Sequence, residues 1–206
     1  MAIETIHLEH VPATHTVYAA FFRDVTNADF LQSQLLARNS DFEYAFIDAS
    51  SIISRSHVLA ATYKALTVLL DGTLKTPNVH SEIVCSLSAS NNIAEAYRRY
   101  GITPTTRNLI AIKVCSSSSS SSPAPGDAST VAAHLSTHVA GRPVPLSDAE
   151  IRPCTDWARV RKYYRLNGAP ALEGRPGGGN DNDEDDDRRV REAEALVLGA
   201  MALRGL

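Results

Sequence analysis

Tyr44-Ala-Phe-Ile-Asp48, His57-Val-Leu-Ala-Ala-Thr-Tyr-Lys64-Ala-Leu-Thr-Val-Leu-Leu-Asp71-Gly72, Val79-His-Ser-Glu-Ile-Val-Cys-Ser-Leu87 and Asn92-Ile-Ala-Glu95-Ala-Tyr-Arg-Arg-Tyr100-Gly101 follow one another in the middle of the chain. The first reads as a short buried strand, Tyr44–Ile47, ending at Asp48. The second is apolar almost all round, which predicts a buried helix over Val58–Leu70, closed by Asp71 and a glycine at the C′ position. Val79–Leu87 is a second apolar helix. Asn92 and Glu95 have capping-box spacing for a third, with Ile93, Ala96, Tyr97 and Tyr100 on one face before Gly101 stops it. Ser56 to Tyr100 is thus a nearly continuous helical block.

Working outward, strands and helices alternate. Thr5–Leu8 and Val17–Phe22 read as strands. Asn27 is placed to cap a helix carrying Phe30, Leu31 and Leu35. Leu109–Val114 is β-rich and reads as a central strand. Val131–Val139, Asp156–Tyr164 and a terminal Arg188–Leu203 read as helices. The fold class is mixed α/β: a small sheet packed against a block of helices, with a C-terminal helix after a disordered linker.

Residues 116–128, with the serine run and Pro123, Pro125 and Gly126, are too polar to pack and read as a disordered insertion. Residues 174–187 join Arg-Pro-Gly-Gly-Gly to six carboxylates and read as a solvated, disordered linker. Residues 1–173 together with 188–206 then form a single domain.

The chain has 206 residues, of which 44% are hydrophobic, suiting one core. Its net charge of −3 conceals the acidic run, without which the balance is mildly basic and compatible with a polyanion. Three widely spaced cysteines without a CxxC pair argue against a disulfide framework or zinc knuckle, so a reducing, intracellular setting is expected. No window approaches the roughly 18 apolar residues of a membrane span.

Signatures of catalysis are missing: no GxGxxG, no Walker A loop, no GxSxG elbow. Leu135 stands between His134 and His138 where a zinc protease needs glutamate, so these histidines read as part of a solvated helix rather than a metal site. Cys85 reads as a small core residue. Asp48 and Asp71 read as cap or turn carboxylates. No cofactor or metal is expected.

Lys64 is the odd residue of the long helix. It shares a stripe with His57 and Asp71 at seven-residue spacing. An unpaired buried ammonium is costly, so Lys64 must reach solvent, pair with Asp71 or meet an anion. Lys75 follows in the next turn. The Ser88-Ala-Ser-Asn91-Asn92 segment opens a helix whose free N–H groups suit either a cap or a phosphate. Arg98, Arg99 and Arg107 add positive charge.

The segments Ala45-Phe-Ile-Asp-Ala-Ser, Val58-Leu-Ala-Ala-Thr-Tyr-Lys64-Ala-Leu, Leu74-Lys-Thr, His80-Ser-Glu-Ile, Leu87-Ser-Ala-Ser-Asn91-Asn-Ile and Ala96-Tyr-Arg-Arg-Tyr-Gly101-Ile stand in the order and spacing of a known family. The chain resembles the Cgi-type subunit of the KEOPS/EKC complex, the p53-related-kinase-binding protein family. The likeness continues into Leu109–Val114 and Leu196–Leu203. It implies a mixed α/β fold without catalytic activity, a non-catalytic adaptor that binds the small atypical kinase/ATPase of the complex directly and the remaining subunits through it. It further implies help in holding the tRNA 3′ CCA end for threonylcarbamoyl-adenosine modification, residence in nucleus and cytoplasm, and in some fungi a link to telomeric chromatin and telomere maintenance.

On that resemblance, Lys64, Lys75, Asn91, Asn92 and, more remotely, Arg107 are the RNA candidates. Leu196, Gly199, Ala200 and Leu203 are the kinase candidates, small residues within an apolar stripe permitting close helix packing. Tyr63 departs from the family's asparagine and offers a stacking surface. The serine and acidic insertions have a fungal character. Two other readings compete: a free-standing RNA-binding α/β protein, and more distantly a small hydrolase using Asp48 and His57.

Overall fold

The computed structural model describes residues 3–116, 127–168 and 183–204. Its centre is an antiparallel sheet. Strands β1 (Glu4–Ile6), β2 (His15–Arg23), β4 (Leu109–Ser116) and β3 (Ala45–Asp48) lie side by side in that order. A short β5 (Arg142–Val144) pairs with Phe21–Arg23, end to end with β1 along the same edge of β2. Leu109–Val114 is central as its β-rich composition predicts, pairing with β2 on one side and β3 on the other.

Both faces of this sheet are covered, more than the sequence anticipates. On one face Val17, Ala19, Phe21, Ala45, Ile47, Ile110 and Ile112 join a core with α2 (Arg55–Leu70), α3 (Val79–Ser86), α7 (Trp157–Tyr164) and α8 (Asp183–Ala202). On the other, Tyr18, Ala20, Phe22, Phe46, Leu109 and Ala111 pack against α1 (Ala28–Leu36) and α5 (Ala128–His138). Side chains alternate across a strand, so burial on both sides demands an unbroken apolar run, and this is why Val17–Phe22 reads as one.

The helical block forms as its residues dictate. Ser54 caps α2 by accepting the His57 N–H, and Gly72 follows the helix with φ of +66°, the left-handed position its sequence reserves for it. Asn78 caps α3 through the Ser81 N–H. Arg55 at the start of α2 grips both carboxylate oxygens of Glu4 at 2.6 Å, tying β1 to the block. α4 (Ile93–Tyr100) ends at Gly101 for a reason other than helix-stop conformation. Its φ is an ordinary −72°, but a Cβ there would lie 2.6 Å from the Tyr97 carbonyl oxygen.

Three expectations need correction. Asn27 makes no side-chain cap on α1; its amide instead bridges the His138 carbonyl and the Ala140 N–H, pinning the end of α5. The capping box of α4 is half-formed: Asn92 accepts the Glu95 N–H, but the Glu95 carboxylate turns to Arg99. The C-terminal helix starts at Asp183, inside the acidic run expected to be linker, where carboxylates suit the positive end of a helix dipole. Of the two segments expected to be disordered, residues 117–126 and 174–182 lie outside the described residues, while Ser116 ends β4 and Asp127 caps α5. The short α6 (Asp148–Ile151) has no counterpart in the sequence reading.

Candidate functional site

α8 lies along α2 in the same direction. Ser54 at the start of α2 bonds Glu194, and Lys64, ten residues on, reaches Met201. The Lys64 ammonium donates to the Met201 carbonyl at 2.7 Å, an acceptor in the last turn of α8 that also takes the Arg204 N–H, and it makes no pair with Asp71. Its amine pKa is lowered, first by burial and then by the nearby Arg204 and Lys75 cations, with Glu82 opposing. Lys64 therefore sits in a cluster of positive charge.

Lys75 is held by a residue that escaped the sequence reading. Glu82 on α3 is 3% exposed, and its carboxylate accepts the Thr76 hydroxyl at 2.7 Å and the Lys75 N–H at 3.2 Å. A buried carboxylate needs such donors, and here they fix the turn that carries Lys75. The clue was available in a lone acid within an otherwise apolar helix.

Asn91 and Asn92 sit exposed at the start of α4. Asn92 is the cap; Asn91 accepts from the guanidinium of Arg204 at 3.1 Å, while the same side chain reaches the Cys85 carbonyl. Arg204, just past α8, is the second residue that sequence reasoning missed, because its partners lie over 110 positions away. Arg204 thus touches Asn91 and lies near Lys64, whose other cationic neighbour is Lys75. Arg107 is not among them: it is exposed in the loop before β4, where its carbonyl accepts the Val25 N–H. Tyr63, beside Lys64, is 40% exposed.

The kinase candidates divide between two faces of α8. Leu196 and Leu203 are 43% and 64% exposed and point away from the core. A Cβ on Gly199 would meet nothing within 4 Å, so that position lies open between them. Ala200, by contrast, packs partly against the protein's own core, alongside an inward stripe of Val190, Ala193, Val197 and Met201. The close packing expected of Gly199 is not made within this chain.

The remaining candidates have structural employment. His57 is fully buried, and its Nε2 meets the Tyr164 hydroxyl at 2.8 Å; burial lowers its pKa to about 3. Asp48 caps a 3-10 turn through the Ser50 N–H and accepts the Thr106 hydroxyl. The two residues of the hydrolase reading serve different elements. His134 and His138 are not simply solvated: Phe42 packs edge-on against both, and His134 bonds the Tyr44 hydroxyl at 3.0 Å. Among the described residues no group of three or more metal-ligating side chains converges, and no helix is long and apolar enough to cross a membrane. Cys85 is buried, which raises its thiol to about 11. A groove of about 900 Å³ opens between α1, α3 and α4, lined by Leu36, Phe42, Val84, Tyr97 and Arg98, and by none of the predicted site residues.

Comparison with known sequences bears directly on this two-sided surface. A family profile described as kinase binding protein CGI-121 matches residues 22–205, nearly the whole chain. The chain belongs to the CGI-121 family. An EKC/KEOPS complex subunit cgi121 from Neurospora crassa is 51% identical over 216 residues, covering all of both chains. The corresponding Gibberella zeae subunit is 50% identical over 206 residues, again with full coverage of both. The Schizosaccharomyces pombe subunit is 28% identical over 73% of this chain and 82% of its own. The resemblance carried by the central segments is thereby established. The CGI-121 match runs through α8 and ends one residue past Arg204, so both faces of that helix lie within the family's span.

Proposed function

We propose that this protein is the non-catalytic EKC/KEOPS subunit that holds the complex's small atypical kinase/ATPase on the outer face of α8. The observation that carries this is the pair of exposed leucines, Leu196 and Leu203, flanking the open position at Gly199. Exposed apolar side chains around a helix glycine form a ready seat for a second helix or sheet. The description of its family as kinase-binding and the naming of its relatives as EKC/KEOPS complex subunits support this reading. We further propose that Lys64, Lys75 and Asn91 hold the tRNA 3′ CCA end for threonylcarbamoyl-adenosine modification, in nucleus and cytoplasm. Clustered cations beside a helix start suit phosphate, and exposed Tyr63 suits a stacked base.

Two variants test the two halves separately. Leu203→Glu places a charge in the kinase seat and weakens binding by about 2 kcal/mol or more, roughly 30-fold, with an unchanged melting curve. Retained co-purification with the kinase would remove the docking site from α8. Lys64→Glu combined with Lys75→Glu lowers tRNA affinity by about tenfold or more at fixed salt while the kinase contact survives. An unaltered gel-shift titration would take RNA off this face. The free-standing RNA-binding reading predicts that full tRNA affinity needs no kinase, which the same titration with and without kinase decides.

A further inference from the structure

Residues 199–204 do two jobs in a single turn. Outward, the turn presents the open Gly199 and the 64%-exposed Leu203. Inward, its Met201 carbonyl takes the Lys64 ammonium, and Arg204 crosses to the Cys85 carbonyl and the Asn91 side chain. Arg204 therefore lies within reach of the Lys64 charge, and the lowered pKa of Lys64 registers both it and Lys75 as positive neighbours. Glu82 is a carboxylate felt by Lys64, and its side chain is turned toward the Lys75 turn, where it accepts from Thr76 and the Lys75 main chain. Lys64 thus has two cationic neighbours and one acidic one, an excess of positive charge with an asparagine amide at its rim.

From this arrangement we infer that Arg204 is the third cation of the RNA-phosphate site and that kinase docking on Leu203 strengthens RNA binding through it. The inference rests on the RNA-holding role proposed for Lys64 and Lys75. A guanidinium offers a planar fork that grips a phosphate with two parallel hydrogen bonds, which neither lysine can do. The last turn of a helix frays most readily, and the Arg204 side chain is fastened across it by its bonds to the Cys85 carbonyl and the Asn91 side chain. A partner seated on Leu203 orders that turn, and Arg204 with it. The entropy of fixing the guanidinium is then spent once, on kinase binding, and RNA meets a site already formed. Linkage makes the effect mutual: RNA strengthens the kinase contact by the same factor.

The test uses the full chain, its kinase partner and a fluorescently labelled tRNA with an intact 3′ end, titrated by anisotropy across a salt series. Arg204→Gln is expected to weaken tRNA binding about 3- to 10-fold and to reduce the slope of log affinity against log salt by about 1, the signature of one lost phosphate contact. Arg204→Lys keeps the slope. Saturating kinase is expected to tighten tRNA binding for the natural chain more than for Arg204→Gln. Weaker binding with an unchanged salt slope would make Arg204 a structural brace and overturn the inference. So would an equal tightening by kinase in both proteins. If Arg204→Gln behaves as the natural chain while Lys64→Glu/Lys75→Glu loses RNA, the inference alone falls. If that double variant also binds normally, the RNA-holding reading falls with it.

Discussion

His57 and His80 each commit one ring nitrogen to a hydrogen bond and hide the other from water. The Tyr164 hydroxyl donates to the Leu87 carbonyl, so His57 Nε2–H donates to the tyrosine oxygen; His80 Nε2 accepts the Val114 N–H at 3.0 Å, so its proton sits on Nδ1. Neither Nδ1 has a partner. Both rings are neutral in the fold, their pKa values lowered to about 3 by burial, for His80 with help from the Lys113 charge. In the unfolded chain a histidine titrates near roughly 6.5. Below that pH the unfolded chain takes up protons that the folded core refuses, so stability is full above about pH 6.5 and declines as pH falls toward 3. Each ring contributes a slope of about 1.4 kcal/mol per pH unit within that window. Urea unfolding is expected to show a midpoint markedly lower at pH 5 than at pH 7.5; equal midpoints would mean the rings are protonated in the native state. The sequence named His57 as a member of a helix stripe with Lys64 and Asp71 and, in a distant reading, as a hydrolase candidate with Asp48. Its partner, Tyr164, stands 107 residues away, and no local pattern encodes such a pairing. Lys64 was legible as an ammonium that needs company, but the identity of that company, a main-chain carbonyl of Met201, was not.

α8 carries two apolar stripes, and this decides how much of it periodicity could reveal. Leu196, Gly199, Ala200 and Leu203 satisfy helical spacing, and so do Val190, Ala193, Val197 and Met201. Spacing identifies stripes; it does not say which one meets the core. Burial does: the second stripe is inside, and Ala200 leans toward it. Gly199 then becomes informative. A glycine within a helix destabilises it by about 0.5–1 kcal/mol relative to alanine, and here the added methyl would meet open space. Gly199→Ala is expected to raise Tm by about 2–3 °C while weakening kinase binding, since the methyl intrudes on the seat between the two leucines. Unchanged kinase affinity in a more stable variant would move the partner elsewhere. The start of α8 was misplaced for a related reason: Asp183–Asp187 reads as solvated charge, yet carboxylates near a helix start are favoured by its dipole.

At the scale of the molecule, the elements were readable where their own residues sufficed. The apolar run of β2, the glycine that follows α2, the Asn92 cap of α4 and the centrality of β4 follow from local pattern. Which helices cover which face of the sheet does not, because α1 and α5 are no more apolar than α3 and reach the second face through chain connections rather than composition. The site divides along the same line. Lys64, Lys75 and Asn91 were named as candidates from their helix, turn and cap positions and from the family resemblance; Glu82 and Arg204 were not, because their partners are ones that only folding brings near. The inward stripe of α8 has one more consequence. Ala193, Val197 and Met201 complete the core over α2, yet α8 leaves the ribosome after every other element described here. During synthesis the apolar flank of α2 stands uncovered until those residues emerge. The kinase seat proposed on the outer face of α8 is made in the same moment, so a partner docking there would recognise only chains whose folding has been completed.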